Sequence, residues 1–190
     1  APTTGDGQSN SYKGGGAQGD QSADGTNATQ YKITASPIDG LKIGADYYET
    51  GGDKLATVSQ EKSGGNVYAQ YAMGNFKVGY GVSLYAPGIT AKNGNVTMYE
   101  TTSYGLEFAV NDALSVSVTN EKSERSTNNT IASGASGGVK TKVEADIDTY
   151  QVAYVIGGAT LGVAIAETDN ADYISGKEEK VTMFSLAMEF

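Results

Sequence analysis

The chain has 190 residues, 38% of them hydrophobic, and a formal net charge of -9. With no Cys and no His, it lacks disulfides, Cys-based zinc ligands, Cys nucleophiles, the usual general base and the commonest metal ligand, so neither an enzyme nor a cofactor or metal protein is expected. Its 13 basic residues are scattered among 22 acidic ones, which speaks against a nucleic-acid partner, because a phosphate backbone is held by clustered Lys and Arg.

Residues 1–27 are Gly, Ser, Asp, Asn, Thr and Gln with almost no apolar side chains, and read as a loop that cannot bury enough surface to offset the entropy of ordering. Within them, Asp20 to Gly25 imitate the start of a calcium loop, but Tyr31 stands where the bidentate Glu is needed, so an ordinary turn is the better reading. Residues 28–190 form one domain in which nine segments alternate apolar and polar residues with period two, the half-buried strand pattern. In chain order, the apolar faces are Tyr31, Ile33 and Ala35; Leu41, Ile43, Ala45 and Tyr47; and Val67, Ala69, Tyr71 and Met73. Phe76, Val78, Tyr80, Val82 and Leu84 follow, then Tyr104, Leu106, Phe108 and Val110, and then Leu114, Val116 and Val118. Tyr150, Val152, Tyr154 and Ile156 make the seventh, and Leu161, Val163 and Ile165 the eighth. In the last, Phe184, Leu186, Met188 and Phe190 share one face opposite Ser185, Ala187 and Glu189.

Tight turns at Pro37 to Gly40, Gly74-Asn75, Asn111-Asp112 and Gly157-Gly158 alternate with longer polar connections at about 49–65, 86–97, 120–146 and 167–179. Short turns at one end and long connections at the other describe an up-and-down meander. No apolar run approaches the length of a transmembrane helix, whereas strands of about 9 to 11 residues suit a tilted crossing of a bilayer.

The terminal Phe190, the alternating strand before it and the recurring pattern upstream resemble the C-terminal part of Gram-negative outer-membrane β-barrels. Barrel size points to the general porins, which are mostly sixteen-stranded trimers. The resemblance implies an all-β fold, a transmembrane antiparallel up-and-down barrel of which this chain supplies about nine C-terminal strands. It also implies location in the bacterial outer membrane, contact with membrane lipid, a homotrimer, and recognition of the last strand by the barrel-assembly machinery. The function implied is passive diffusion of small hydrophilic solutes and ions through a water-filled channel. An initiator Met and a secretory signal are both missing, which fits a processed chain or a piece of a longer one.

A soluble sheet would show the same alternation with its apolar face turned inward, so periodicity alone does not choose. The alternative is a secreted or surface-attached, adhesin-like β protein that binds partners through its loops. Three features lean toward lipid: few charges on the polar face, suitable strand lengths, and aromatics at matching depth. Tyr71, Phe76, Phe108, Tyr154 and Phe190 are the expected aromatic girdle at the short-turn end. Lys32, Lys42, Asp46, Lys77, Glu107 and Glu189 are the candidate pore-lining charges. Tyr48, Tyr68 and Tyr85 point to the polar face near the outer mouth, where they could stack on sugars or simply fill the wall. Glu167, Asp169, Asp172, Glu178 and Glu179 would form an acidic rim.

Overall fold

The computed structural model describes residues 27–51, 58–60, 62–87, 89–90, 96–128 and 140–188. Its strands are β1 (Asn27–Ala35), β2 (Leu41–Gly51), β3 (Val58–Gln60), β4 (Ser63–Met73), β5 (Phe76–Ala86), β6 (Ile89–Thr90), β7 (Val96–Ala109), β8 (Leu114–Asn128), β9 (Lys140–Ile156), β10 (Ala159–Asp169) and β11 (Glu179–Met188). Nine of them form one antiparallel sheet in the order β1-β2-β4-β5-β7-β8-β9-β10-β11, an uninterrupted meander. The two short strands β3 and β6 pair separately, tying the first two long connections together, and Gln60 Nε2 donates to the carbonyls of Pro87 and Thr97 at 2.8 Å each. Among the described residues, β1 and β11 each pair with a single neighbour, so the sheet is not closed on itself.

Local chemistry sets the short turns. Gly157 and Gly158 both take positive φ (54° and 83°), the requirement of a two-residue hairpin whose twist matches that of the strands. Asn111 Oδ1 accepts from the backbone N–H of Ala113 and Leu114, both at 2.9 Å, so its side chain closes the β7–β8 turn.

The long connections differ from the expectation in one respect. The sequence reading placed 120–146 in a loop, but β8 continues to Asn128 and β9 starts at Lys140. Likewise β7 begins at Val96 and β10 runs to Asp169. The β8 extension is polar on both faces, while on β9 Val143, Ala145 and Ile147 share the enclosed face opposite Glu144, Asp146 and Asp148, so the hydrogen-bonded ladder persists after the outward apolar face has stopped.

The two faces of the sheet have opposite fates. Ile43, Val78 and Val163 on the apolar face are 39%, 46% and 39% exposed. Every buried strand side chain among the described residues lies on the polar face, with Thr101 at 2% and Ser123 at 0% exposure. The sheet is thus inside out relative to a soluble sandwich: it encloses Ser, Thr, Gln and Tyr, and presents Val, Leu, Ile, Phe and Tyr outward.

Candidate functional site: the enclosed polar face

The wall is built from the strand register. One row across the enclosed face runs Lys32, Asp46, Asn66, Ser83, Thr101, Ser123 and Ala145. Another runs Lys77, Glu107, Ser117, Gln151 and Ala164. Where this row is most deeply buried its side chains are small, and Thr101 and Ser123 share a buried hydroxyl contact of 2.9 Å.

Of the six charges expected on this face, five are there. Lys32 lies opposite Asp46 in register, Lys77 lies opposite Glu107, and Lys42 lies opposite Gln70. Asn66 Nδ2 donates to Asp46 Oδ2 at 2.6 Å, which fixes that carboxylate against the wall. Glu189, like Phe190 and Asp20 to Gly25, lies outside the described residues. Two further charges of the enclosed face, Glu121 and Arg125, fall in the extension of β8 that the sequence reading took for loop. Asp46 Oδ1, Asn66 Oδ1, Glu107 Oε2 and Arg125 Nε are buried with no hydrogen-bond partner among the described residues, a cost that a purely structural face would avoid.

Tyr48 and Tyr68 do turn to the polar side, but both are buried against it. A Cβ on Gly44 would come 2.5 Å from the Tyr68 ring, and one on Gly64 would come 2.7 Å from that of Tyr48. The rings are seated over glycines and act as wall filler, with little aromatic face left for a sugar. Further along, Tyr85 stacks on Tyr99 at 6.0 Å, Tyr99 meets Tyr173 at 5.6 Å, and the Arg125 guanidinium lies 4.8 Å from the centre of the Tyr173 ring. Tyr173 belongs to a 3-10 turn, Ala171–Tyr173, in the β10–β11 connection, and it is 3% exposed. Burial raises the Tyr173 pKa above that of an ordinary phenol, while the hydrogen bond with Ser123 opposes the rise.

The expected acidic rim is largely paired. Lys180 bonds Glu167 at 2.7 Å, and Lys177 lies against Asp172 and 3.7 Å from Glu179. These exposed pairs add little stability, but they cut the net charge of the mouth.

On the outward face, the limit of the apolar band moves steadily against the register. The row Ile43, Ala69, Tyr80 and Tyr104 is apolar as far as β7, then continues as Asn120, Asp148, Glu167 and Lys180. Toward the long connections the first break in the outward apolar row comes after Tyr47 on β2, Tyr104 on β7, Tyr150 on β9 and Phe184 on β11, at Glu49, Thr102, Asp148 and Thr182. The short-turn end descends in parallel, from Ala35 on β1 to Met188 on β11. The drop is about one residue per strand, which at ~3.3 Å per residue and ~4.8 Å between strands corresponds to a strand tilt of about 35° from the normal to the band, as in barrels.

With that tilt allowed for, Tyr71, Phe76, Phe108 and Tyr154 lie along the lower limit of the band. All four face outward, with Phe76 stacked on Phe108 at 4.6 Å. Tyr31, Tyr47, Tyr104 and Tyr150 lie along its upper limit, each followed on its own strand by a polar outward residue. This second aromatic line escaped the sequence reading because its residues are level only after the tilt is known.

No family model and no curated protein matches the chain. Among solved structures, the chain is similar to that of a porin refined at 1.8 Å resolution, with a TM-score of 0.58 and 17% sequence identity over 90% of this chain and 53% of that one. The likeness is one of fold: an all-β, antiparallel up-and-down sheet of the porin type. The chain spans about half the length of that porin.

Proposed function

We propose that this sheet is part of the wall of an outer-membrane channel through which small hydrophilic solutes and ions diffuse passively. The observation that carries the reading is the inverted burial, with an apolar band facing out between two aromatic lines while a hydroxyl-rich, sparsely charged face is enclosed. Exposing so much contiguous apolar surface to water would drive aggregation, whereas against hydrocarbon it is the stable arrangement. The mixed charges Lys32, Lys42, Asp46, Lys77 and Glu107 then line the aqueous lumen together with Glu189, and selection follows from pore width and from those charges. Tyr71, Phe76, Phe108 and Tyr154, with Phe190, form the periplasmic girdle.

Among the described residues the outer edges of β1 and β11 have no partner, and a wall in lipid would take further strands there, because backbone groups left unpaired in lipid are strongly disfavoured. Assembly into a trimer of the Gram-negative outer membrane, guided by the barrel-assembly machinery reading the last strand, completes the proposal. No chemical step is assigned to any residue.

The test is reconstitution of the full-length protein into planar bilayers, together with gel migration before and after boiling. A channel gives steady conductance steps and a heat-dependent shift in migration. Protein that stays soluble without detergent and never conducts would instead support the adhesin-like alternative.

A further inference from the structure

The β10–β11 connection does not stand away from the mouth. Tyr173 turns onto the enclosed face, with its hydroxyl 2.7 Å from Ser123 Oγ, its ring against Tyr99 and under Arg125, and its carbonyl accepting from Arg125 Nη2 at 3.3 Å. The turn is also closed on itself. Ala171 N–H donates to the Lys177 carbonyl at 2.7 Å, and Gly176 N–H donates to Asn170 Oδ1 at 2.8 Å. Asn170 Nδ2 donates to the Glu144 carbonyl on β9 at 2.9 Å, giving the turn a second anchor on the wall. Asn170, Asp172 and Tyr173 hold φ of 52°, 60° and 58°, a left-handed backbone that side-chain-bearing residues keep only where their surroundings impose it. A merely solvated connection has no reason to hold it. The anchors lie on the enclosed face at the outer end, so the turn occupies cross-section that would otherwise be lumen.

We propose that the turn from Asn170 to Lys177 is a fixed constriction at the outer mouth of the channel, latched to the wall by Tyr173, and that Tyr173 thereby sets the conductance. The proposal rests on the channel reading above. Within the turn, Asp172 is tied to Lys177, so the constriction is nearly neutral and acts on pore width more than on ion sign.

The experiment compares the full-length protein with Tyr173→Ala and Tyr173→Phe in planar bilayers, and adds a reading that needs no conduction. The chain has no Cys, so Ser123→Cys introduces a single thiol at the position that meets the Tyr173 hydroxyl. Release of the latch in Tyr173→Ala raises single-channel conductance by roughly 1.5-fold with the reversal potential in a salt gradient unchanged. Tyr173→Phe keeps the ring contacts and gives a smaller rise. A water-soluble thiol reagent modifies Ser123→Cys slowly when Tyr173 is present and rapidly in the Ser123→Cys, Tyr173→Ala double variant. Equal thiol reactivity in both backgrounds, or equal conductance of wild type and Tyr173→Ala in channels that do conduct, overturns the constriction. A wild-type protein that never conducts, with the Ser123→Cys thiol still protected while Tyr173 is present, overturns the channel reading itself and leaves Tyr173 as a docking residue only.

Discussion

Tyr173 shows how a single residue couples burial to pH. Its phenol titrates above the ordinary value of 10.0, chiefly because burial disfavours the phenolate. The docked turn therefore keeps its full stability below pH 10 and loses it as pH rises through the raised pKa, since the undocked phenol ionises first. Reactivity of a Ser123→Cys thiol, corrected for the reagent's own pH dependence, should stay flat from pH 6 to 9 and climb only in the alkaline range; a climb near neutrality would contradict it. Gly40 makes a second residue-level case. It takes φ +75°, and a Cβ there would come 2.2 Å from the Ala72 carbonyl oxygen, so Gly40→Ala should lower stability in vesicles by roughly 1–3 kcal/mol, read from urea titration. Gly40 was legible in the sequence as part of a Pro-Ile-Asp-Gly turn. Tyr173 and Arg125 were not, because a tyrosine in a polar connection carries no period, and its partners lie 48 to 50 positions away in the chain.

At the scale of the strand, the apolar alternation marks the outward band that the proposed function sets against hydrocarbon, and the hydrogen-bonded ladder outlasts it. All nine strands of the sheet were legible from period two, and so was the face of the sheet that Lys42, Asp46, Lys77 and Glu107 share. The outer ends of β8 and β9 were not, because β8 there is polar on both faces and on β9 the alternation changes phase, with Val143, Ala145 and Ile147 on the enclosed face opposite Glu144, Asp146 and Asp148. There the outward face carries Asn120, Lys122 and Glu124 against Asp148, Asp146, Glu144 and Lys142. Lys122 lies 3.1 Å from Asp146 and 3.7 Å from Glu144, and Lys142 lies 2.6 Å from Glu124, so both ammonium groups titrate higher than usual through those carboxylates. If Val118 and Tyr150 mark the limit of the hydrocarbon, a charge introduced on either side of it must have unequal consequences. Val152→Arg on β9 should destabilise the membrane-folded protein by about 2–4 kcal/mol, whereas Asp148→Arg, just past the limit, should cost at most about 1 kcal/mol. Equal effects in urea titrations from vesicles would remove the band from where the register puts it.

For the whole molecule, parity constrains how the wall can close. In a nine-stranded antiparallel meander the first and last strands run the same way, so β1 and β11 cannot pair with each other as antiparallel neighbours. Closure with antiparallel pairs alone needs an odd number of additional strands between them. A second copy of the same nine strands placed side by side in the same orientation fails, because β11 of one would meet β1 of the next in parallel. An inverted copy satisfies the pairing, β1 against β1 and β11 against β11, but it puts the long polar connections at both ends of the band. Strands that close the wall would therefore be formed by sequence other than these nine. A thiol placed by Lys32→Cys near the middle of β1 tests this directly, since the chain has no other. Oxidation in the assembled membrane protein should give no covalent dimer through that edge, and backbone amides of β1 should exchange as slowly as those of β5. Dimer formation would establish the inverted two-copy wall, and rapid exchange along β1 would mean that its edge stays open to water, which a strand closed into a lipid-facing wall cannot do.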